Sequence, residues 1–213
     1  MEKIWTSADI ANLSRIPRMN LVNSLSGFKS ANLIGTSHVE DGKKIENLAL
    51  FSSLVHIGAD PALIGLVFRP IVSGGKTSRH SYENIHTNKF FTINQVHSDL
   101  ILAAHQCSAS YERGESEFLA TGLTPQYVEH FSLLAPFVAQ SRLKMGCSFV
   151  EQHEIAANNT IFMVAKIEFL LMPEHAMTET GHLNLDTLET VAVEGLDTYH
   201  APNMLKRLPY ARP

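Results

Sequence analysis

This chain sets little aside for covalent stapling, membrane crossing or polyanion binding. Only two of its 213 residues are cysteine, Cys107 and Cys147, and their spacing fits no zinc pattern, so free thiols are expected. A chain of this size buries roughly 70% of its unfolded surface and needs no disulfide or metal to stay folded. No apolar run approaches the roughly 18 residues a bilayer span requires; the stretches present, such as 133–139, are far shorter. Charge is sparse too. The 17 basic and 21 acidic residues leave a net charge of -4, and neither sign forms a block, which argues against nucleic acid as a partner. The first residues carry acids and hydroxyls but no apolar core or small-residue cleavage site of an export signal, so a cytoplasmic setting is expected.

Familiar catalytic fingerprints are missing as well. No G-x-G-x-x-G, G-x-S-x-G or H-E-x-x-H occurs, which removes the sequence anchors for a dinucleotide fold, a hydrolase elbow and a zinc protease. The GGKTS string at 74–78 lacks the earlier glycine of a phosphate-binding loop, because Pro70 stands at that position. Eleven histidines is a high count, yet none falls in a ligand-pair spacing, so no metal site is expected.

What is present is strand pattern. In 142–150 the apolar Leu143, Met145, Cys147 and Phe149 alternate with Lys144, Gly146 and Ser148, the period of a strand with one buried face. Residues 160–172 are rich in β-branched and aromatic side chains and apolar on nearly both faces, as in a strand inside a barrel or sandwich. Asn158 and Asn159 lie between these two runs and suggest a hairpin. Further strands are expected at 31–37, 48–57, 62–68 and 90–96, and helices at 81–88, 98–107 and near 125–140. No linker-like segment or internal repeat divides the chain, so one domain over 1–213 is expected, with a core at about 21–175 and an extension at 176–213.

Two constellations carry chemistry. Arg79, His80 and Ser81 put a cation, an imidazole and a hydroxyl where a short helix begins, with Asn84 one turn on; free backbone N–H groups and the positive helix end favour a phosphate there. The second is a strand-like run in which Asn47, Leu48 and Ala49 lead to Ser52 and Ser53. An apolar wall with amide and hydroxyl donors suits a flat heteroaromatic ring that gains negative charge on reduction. Taken alone, an unoccupied helix cap and a buried strand are the simpler readings of the same residues.

The order of features resembles the flavin reductase-like, FMN-binding split-barrel family, of the flavoredoxin type. The resemblance rests on Gly42, Glu46, Asn47, Ala49 and Ser52, then Asp60-Pro61, the block Arg79-His80-Ser81 with Asn84-Ile85, and Phe90 with Asn94. It continues through Ser116-Glu117-Phe118, Thr121 to Thr124, the strand around Cys147 and the tail from Gly195. It implies a mainly β fold, a six-stranded Greek-key split β-barrel with peripheral helices, and a homodimer with one FMN per subunit at the interface. By position, Asn47, Leu48, Ala49, Ser52 and Ser53 would contact the ring and ribityl chain, Arg79, His80 and Ser81 the phosphate, and Asn84 would support that loop. Tyr199 and His200 are candidates to line the ring or the partner. The implied activity is hydride transfer from NADH or NADPH to flavin N5 and on to an unknown acceptor; an electron carrier or sensor without that turnover is the alternative. The flavin carries the chemistry, so no catalytic side chain is expected.

Overall fold

Strands outnumber helices because runs of β-branched and aromatic residues alternate with polar ones over most of the chain. The computed structural model describes residues 2–70, 79–129 and 135–212. Two helices open it, α1 (Ser7–Asn12), started by a capping box between Thr6 and Asp9, and α2 (Arg15–Ser24). Then come β1 (Lys29–Ser30), β2 (Asn32–Glu40), β3 (Lys43–Phe51), β4 (Leu54–Ala59) and β5 (Ala62–Phe68). The helix α3 (His80–Asn88) leads to β6 (Phe90–Gln95), a 3-10 turn at Ser98–Leu100, α4 (Ile101–Gln106) and α5 (Glu117–Thr121). Short strands β7 (Pro125–Gln126) and β8 (Phe137–Val138) precede the hairpin β9 (Lys144–Ile155) and β10 (Thr160–Leu171). β11 (Ala192–Glu194) and β12 (Thr198–His200) follow.

Seven strands form the main sheet in the order β3-β2-β6-β9-β10-β5-β4, every neighbouring pair antiparallel. This corrects the expected six-stranded barrel: there are seven strands, and the described strands do not close a ring. The two edge strands, β3 and β4, are consecutive in the chain and joined only by Ser52 and Ser53. The sheet therefore curls until its edges meet at that corner, leaving a seam open along the rest of their length.

The same corner corrects a second expectation, a single strand over 48–57. Ser53 breaks it: its hydroxyl donates to the Val67 carbonyl (2.9 Å) and accepts from the Val67 amide (3.2 Å), replacing backbone pairing while the chain crosses from one edge to the other. The helix expected near 125–140 is also not found in the described part. Its two ends pair as β7 and β8, Pro125 opposite Val138 and Gln126 opposite Phe137, while 130–134 lie outside the described residues. The expectations at 62–68, 81–88, 90–96 and 98–107, and the Asn158-Asn159 hairpin, match β5, α3, β6, the turn leading into α4, and the β9–β10 connection to within a few residues.

The curled sheet has a core on each side. Inside lie Ile34, Leu66, Phe68, Phe91, Ile93, Met145, Cys147 and Met163, with Ile85 of α3 packed among them. Outside β2 and β3, Leu33 and Leu48 pack with Leu100 and Ala104 around α4, Phe118 of α5, and Val193 of β11. A small sheet, β1-β11-β12, holds the C-terminal extension to this outer core. Among the described residues no helix is long and apolar enough to cross a membrane.

Gly35 of β2 marks where the outer layer comes closest. A Cβ there would sit inside contact distance of the Pro136 carbonyl and the Thr92 hydroxyl, which are themselves hydrogen-bonded to each other. The replacement Gly35→Ala is expected to destabilise the protein by about 1–3 kcal/mol, as overpacking of a tight interior does, and lower Tm by several degrees. Thermal unfolding of the two proteins checks it; an unchanged Tm would mean that the Pro136 segment moves away at no cost.

Candidate functional site

Register brings the site together. β2 pairs with β3 so that Thr36 stands opposite Asn47, and both side chains face α3. Asn47 Nδ2 donates to Thr36 Oγ1 (3.2 Å) and to Ser81 Oγ (3.0 Å), and Asn84 Nδ2 donates to the same Thr36 oxygen (3.1 Å). All four residues are buried. The helical spacing of Ser81, Asn84, Ile85 and Asn88 turns one face of α3 to the sheet. On that face Ile85 enters the inner core and Asn88 donates to the Ser37 carbonyl (2.7 Å). The two stretches singled out in the sequence, 47–53 and 79–84, are thus locked by a direct hydrogen bond.

Arg79 is the N-cap of α3, and its own side chain makes no capping hydrogen bond. The guanidinium is half-buried, its Nε is enclosed without a partner, and its pKa is pushed down first by burial and then by Arg69. Two like charges therefore share one region, and no carboxylate pairs with either among the described residues. An anion would resolve both the orphaned donor and the repulsion.

His38 lies two residues beyond Thr36 on the same face of β2, and neither ring nitrogen has a hydrogen-bond partner; Glu40 is the nearest carboxylate, 3.9 Å away. Burial, then Arg113, pushes the pKa of His38 and of His80 below the usual histidine value, while Glu40 and Glu83 pull His38 the other way and Glu83 and Glu112 do so for His80. Arg113 is itself paired with Glu83. Of the seven buried side-chain polar atoms without a partner among the described residues, four lie in this region: Arg79 Nε, Asn84 Oδ1 and both nitrogens of His38. Buried polar groups are nearly always satisfied, so such a cluster is what a missing polar ligand leaves.

Five residues along β3 from Asn47, about 17 Å at strand rise, Ser52 lines a cavity of about 320 Å³. Arg69 and Leu50 line it from the sheet, His105 and Ser108 from the α4 region, and Val193, Leu196 and Asp197 from the C-terminal hairpin. Tyr199 does not line it but holds His105 through its hydroxyl (3.1 Å). Arg69 thus belongs to both ends, lining the cavity and sharing the field of Arg79.

Of the residues expected from sequence, Asn47, Ser81, Asn84, Arg79 and His80 come together at one end and Ser52 lies at the other. Ala49 shares the face of Asn47 and is partly buried. Leu48 points the opposite way, into the outer core, and its amide is taken by Glu117 Oε2 (2.8 Å). Ser53 is occupied by Val67. His200 contacts Glu194 and Phe28, not the cavity. The sequence reading missed Thr36, His38 and Arg69. Nothing local marks the first two, whose place depends on strand register; for Arg69 the signal was a lone cation closing a strand just before a glycine-rich stretch. The GGKTS string lies outside the described residues. Both cysteines are free and buried; burial pushes the Cys107 thiol up to about 12 and raises Cys147 as well, so neither is a ready nucleophile. No cluster among the described residues could hold a metal ion.

Residues 25–184 match the family model for the flavin reductase like domain. A split-barrel-domain protein from Shewanella frigidimarina NCIMB 400, assigned as a flavin reductase, is 41% identical and superposes with a TM-score of 0.89 over 99% of this chain and 100% of its own. Nitrilotriacetate monooxygenase component B from Bacillus cereus (16% identity, TM-score 0.79, 97% and 100% covered) shares the fold. So does flavoredoxin of Desulfovibrio vulgaris (Miyazaki F), at 18% identity and a TM-score of 0.69, with 87% and 92% covered. No curated protein matches.

The two histidines beside α3 make the ligand-free protein acid-sensitive. Their folded pKa values lie below the unfolded one, so the unfolded state binds more protons, and the stability they contribute is present above about pH 6.5 and lost as pH falls through the folded values. Denaturant unfolding between about pH 7.5 and pH 5 is expected to show stability falling with pH, and His38→Gln to show a shallower fall. A wild-type slope retained in the variant would remove His38 from this role.

Proposed function

This chain belongs to the flavin reductase-like family, and from that premise we propose that it is an FMN-dependent oxidoreductase that takes a hydride from NADH or NADPH and passes the electrons to an acceptor. The observation that carries the reading is the enclosed Arg79 guanidinium, without a carboxylate partner among the described residues, at the start of a helix that Ser81 ties to the strand of Asn47. When bound, the flavin supplies the redox chemistry, its N5 accepting the hydride.

Each end of the site then has a task. Arg79 and the first-turn amides of α3 hold the phosphate by charge-assisted hydrogen bonds. Ser81 accepts from Asn47, which leaves its hydroxyl proton for a phosphate oxygen. His80 and His38 gain protons more readily once a dianion lies near them. Asn84 offers its orphaned Oδ1 to a ligand hydroxyl. Along β3, Asn47 and Ala49 line the ribityl and ring path and Leu48 contributes its edge carbonyl, because N–H and C=O of one residue point to the same side of an antiparallel strand. Ser52 and Arg69 put donors in the cavity, where they would stabilise negative charge on a flavin ring, and the C-terminal hairpin would keep water from it. Ser53 keeps its role through the corner it shapes. A homodimer with the cofactor at the subunit interface is part of the proposal: the edge strand β4 exposes Val55 and Ile57, and the tail exposes Leu205, Leu208 and Tyr210.

Protein reconstituted with FMN should be yellow, and anaerobic NADH or NADPH should bleach it. Arg79→Ala should weaken FMN by about 10- to 150-fold, the equivalent of about 1.5–3 kcal/mol for a charge-assisted contact, while hardly affecting riboflavin, which lacks the phosphate. Equal losses for the two ligands in fluorescence titrations would remove Arg79 from the phosphate seat. A protein that binds FMN but is not bleached would be a carrier, and one that stays colourless would end the proposal.

A further inference from the structure

The edge position of β3 creates a problem that one buried acid answers. Leu48 and Leu50 point their amides away from β2, where a further strand would normally accept them. Leu50 N reaches the Cys107 carbonyl at a long 3.4 Å, whereas Leu48 N donates to Glu117 Oε2 at 2.8 Å. Glu117 is only 5% exposed, forms no ion pair among the described residues, and also accepts from its own backbone N–H. Burial pushes its pKa up and the two amides pull it down. An unpaired buried carboxylate is costly, and a hydrophobic residue would fill the same space beside Phe118 at less expense. Its place, between Asn47 and Ala49 on the strand's open edge, gives that cost a purpose.

We propose that Glu117 is a positioning residue for the cofactor strand: its carboxylate takes the place of the absent neighbouring strand at Leu48 and so fixes the backbone from Asn47 to Ala49 against which the ring lies. The proposal rests on the reading of β3 as the flavin strand. α5 has five residues and begins at Glu117, so its first residue brings the acid to the strand edge. Thr121 anchors the turn by donating to the Glu117 carbonyl (2.6 Å), and Phe118 locks it into the outer core.

Two variants test this, E117Q, which keeps one acceptor oxygen, and E117A, which keeps none. In the protein without flavin, hydrogen exchange at the Leu48 amide should quicken by about tenfold or more in E117A while Phe91, in the sheet interior, is unchanged; E117Q should stay within about threefold of wild type. FMN dissociation constants should follow the same order, about tenfold weaker in E117A and within about threefold in E117Q. Wild-type exchange and wild-type affinity in E117A would overturn the proposal. If E117A does not fold, E117Q decides: retained protection supports the acceptor role, and tenfold faster exchange at Leu48 in an intact sheet overturns it. If exchange responds as expected while even the wild-type protein binds no FMN, the positioning role stands and the flavin reading falls.

Discussion

The hydrogen-bonded group of Thr36, Asn47, Ser81 and Asn84 holds the site to the curled sheet. It is a polar layer between a helix and a sheet, where apolar contact would be the ordinary choice, and it works because each buried amide nitrogen finds a hydroxyl. Ile85, on the same helix face, adds the apolar contact that anchors α3 in the inner core. The N-terminus of α3 and Arg79 therefore stand at a fixed place relative to β3. Loss of this layer would leave Arg79 and the strand as unrelated pieces of surface.

Topology then decides what lies along that strand. The main sheet ends in β3 and β4, which adjoin in sequence, so the sheet folds round on itself and keeps a seam. An edge strand is normally a hazard, since its unpaired amides invite another chain. Here α4 and α5 cover β3 from outside, Glu117 and the Cys107 carbonyl satisfy its amides, and the C-terminal hairpin walls the cavity at its far end. The edge is thereby closed to a stray strand.

Electrostatics divide the groove. At one end the enclosed Arg79 guanidinium has no carboxylate partner among the described residues; the cavity is lined by Arg69, His105 and Asp197 together with hydroxyls and leucines. That gradient suits a molecule with an anionic tail and a flat, weakly polar head.

Strand alternation, the Asn-Asn hairpin and the helix at 81–88 were legible in the sequence because they depend on neighbours a few residues apart. So were the residue types that could seat a phosphate, since a cation, an imidazole and a hydroxyl at a helix start are a local pattern. Sequence by itself therefore determined a β-rich, flavin-reductase-like chain and singled out Arg79 to Ser81 and Asn47 to Ser53 as its candidate chemical stretches. The number of strands, the seam at Ser52-Ser53, the partnering of Asn47 with Thr36 and Ser81, the approach of Arg69 to Arg79 and the capture of the Leu48 amide by Glu117 were decided only by the tertiary structure. Each joins residues separated by 10 to 70 positions. Such contacts depend on strand register and sheet curvature, and these are set by how the whole set of apolar faces packs, which no local stretch encodes.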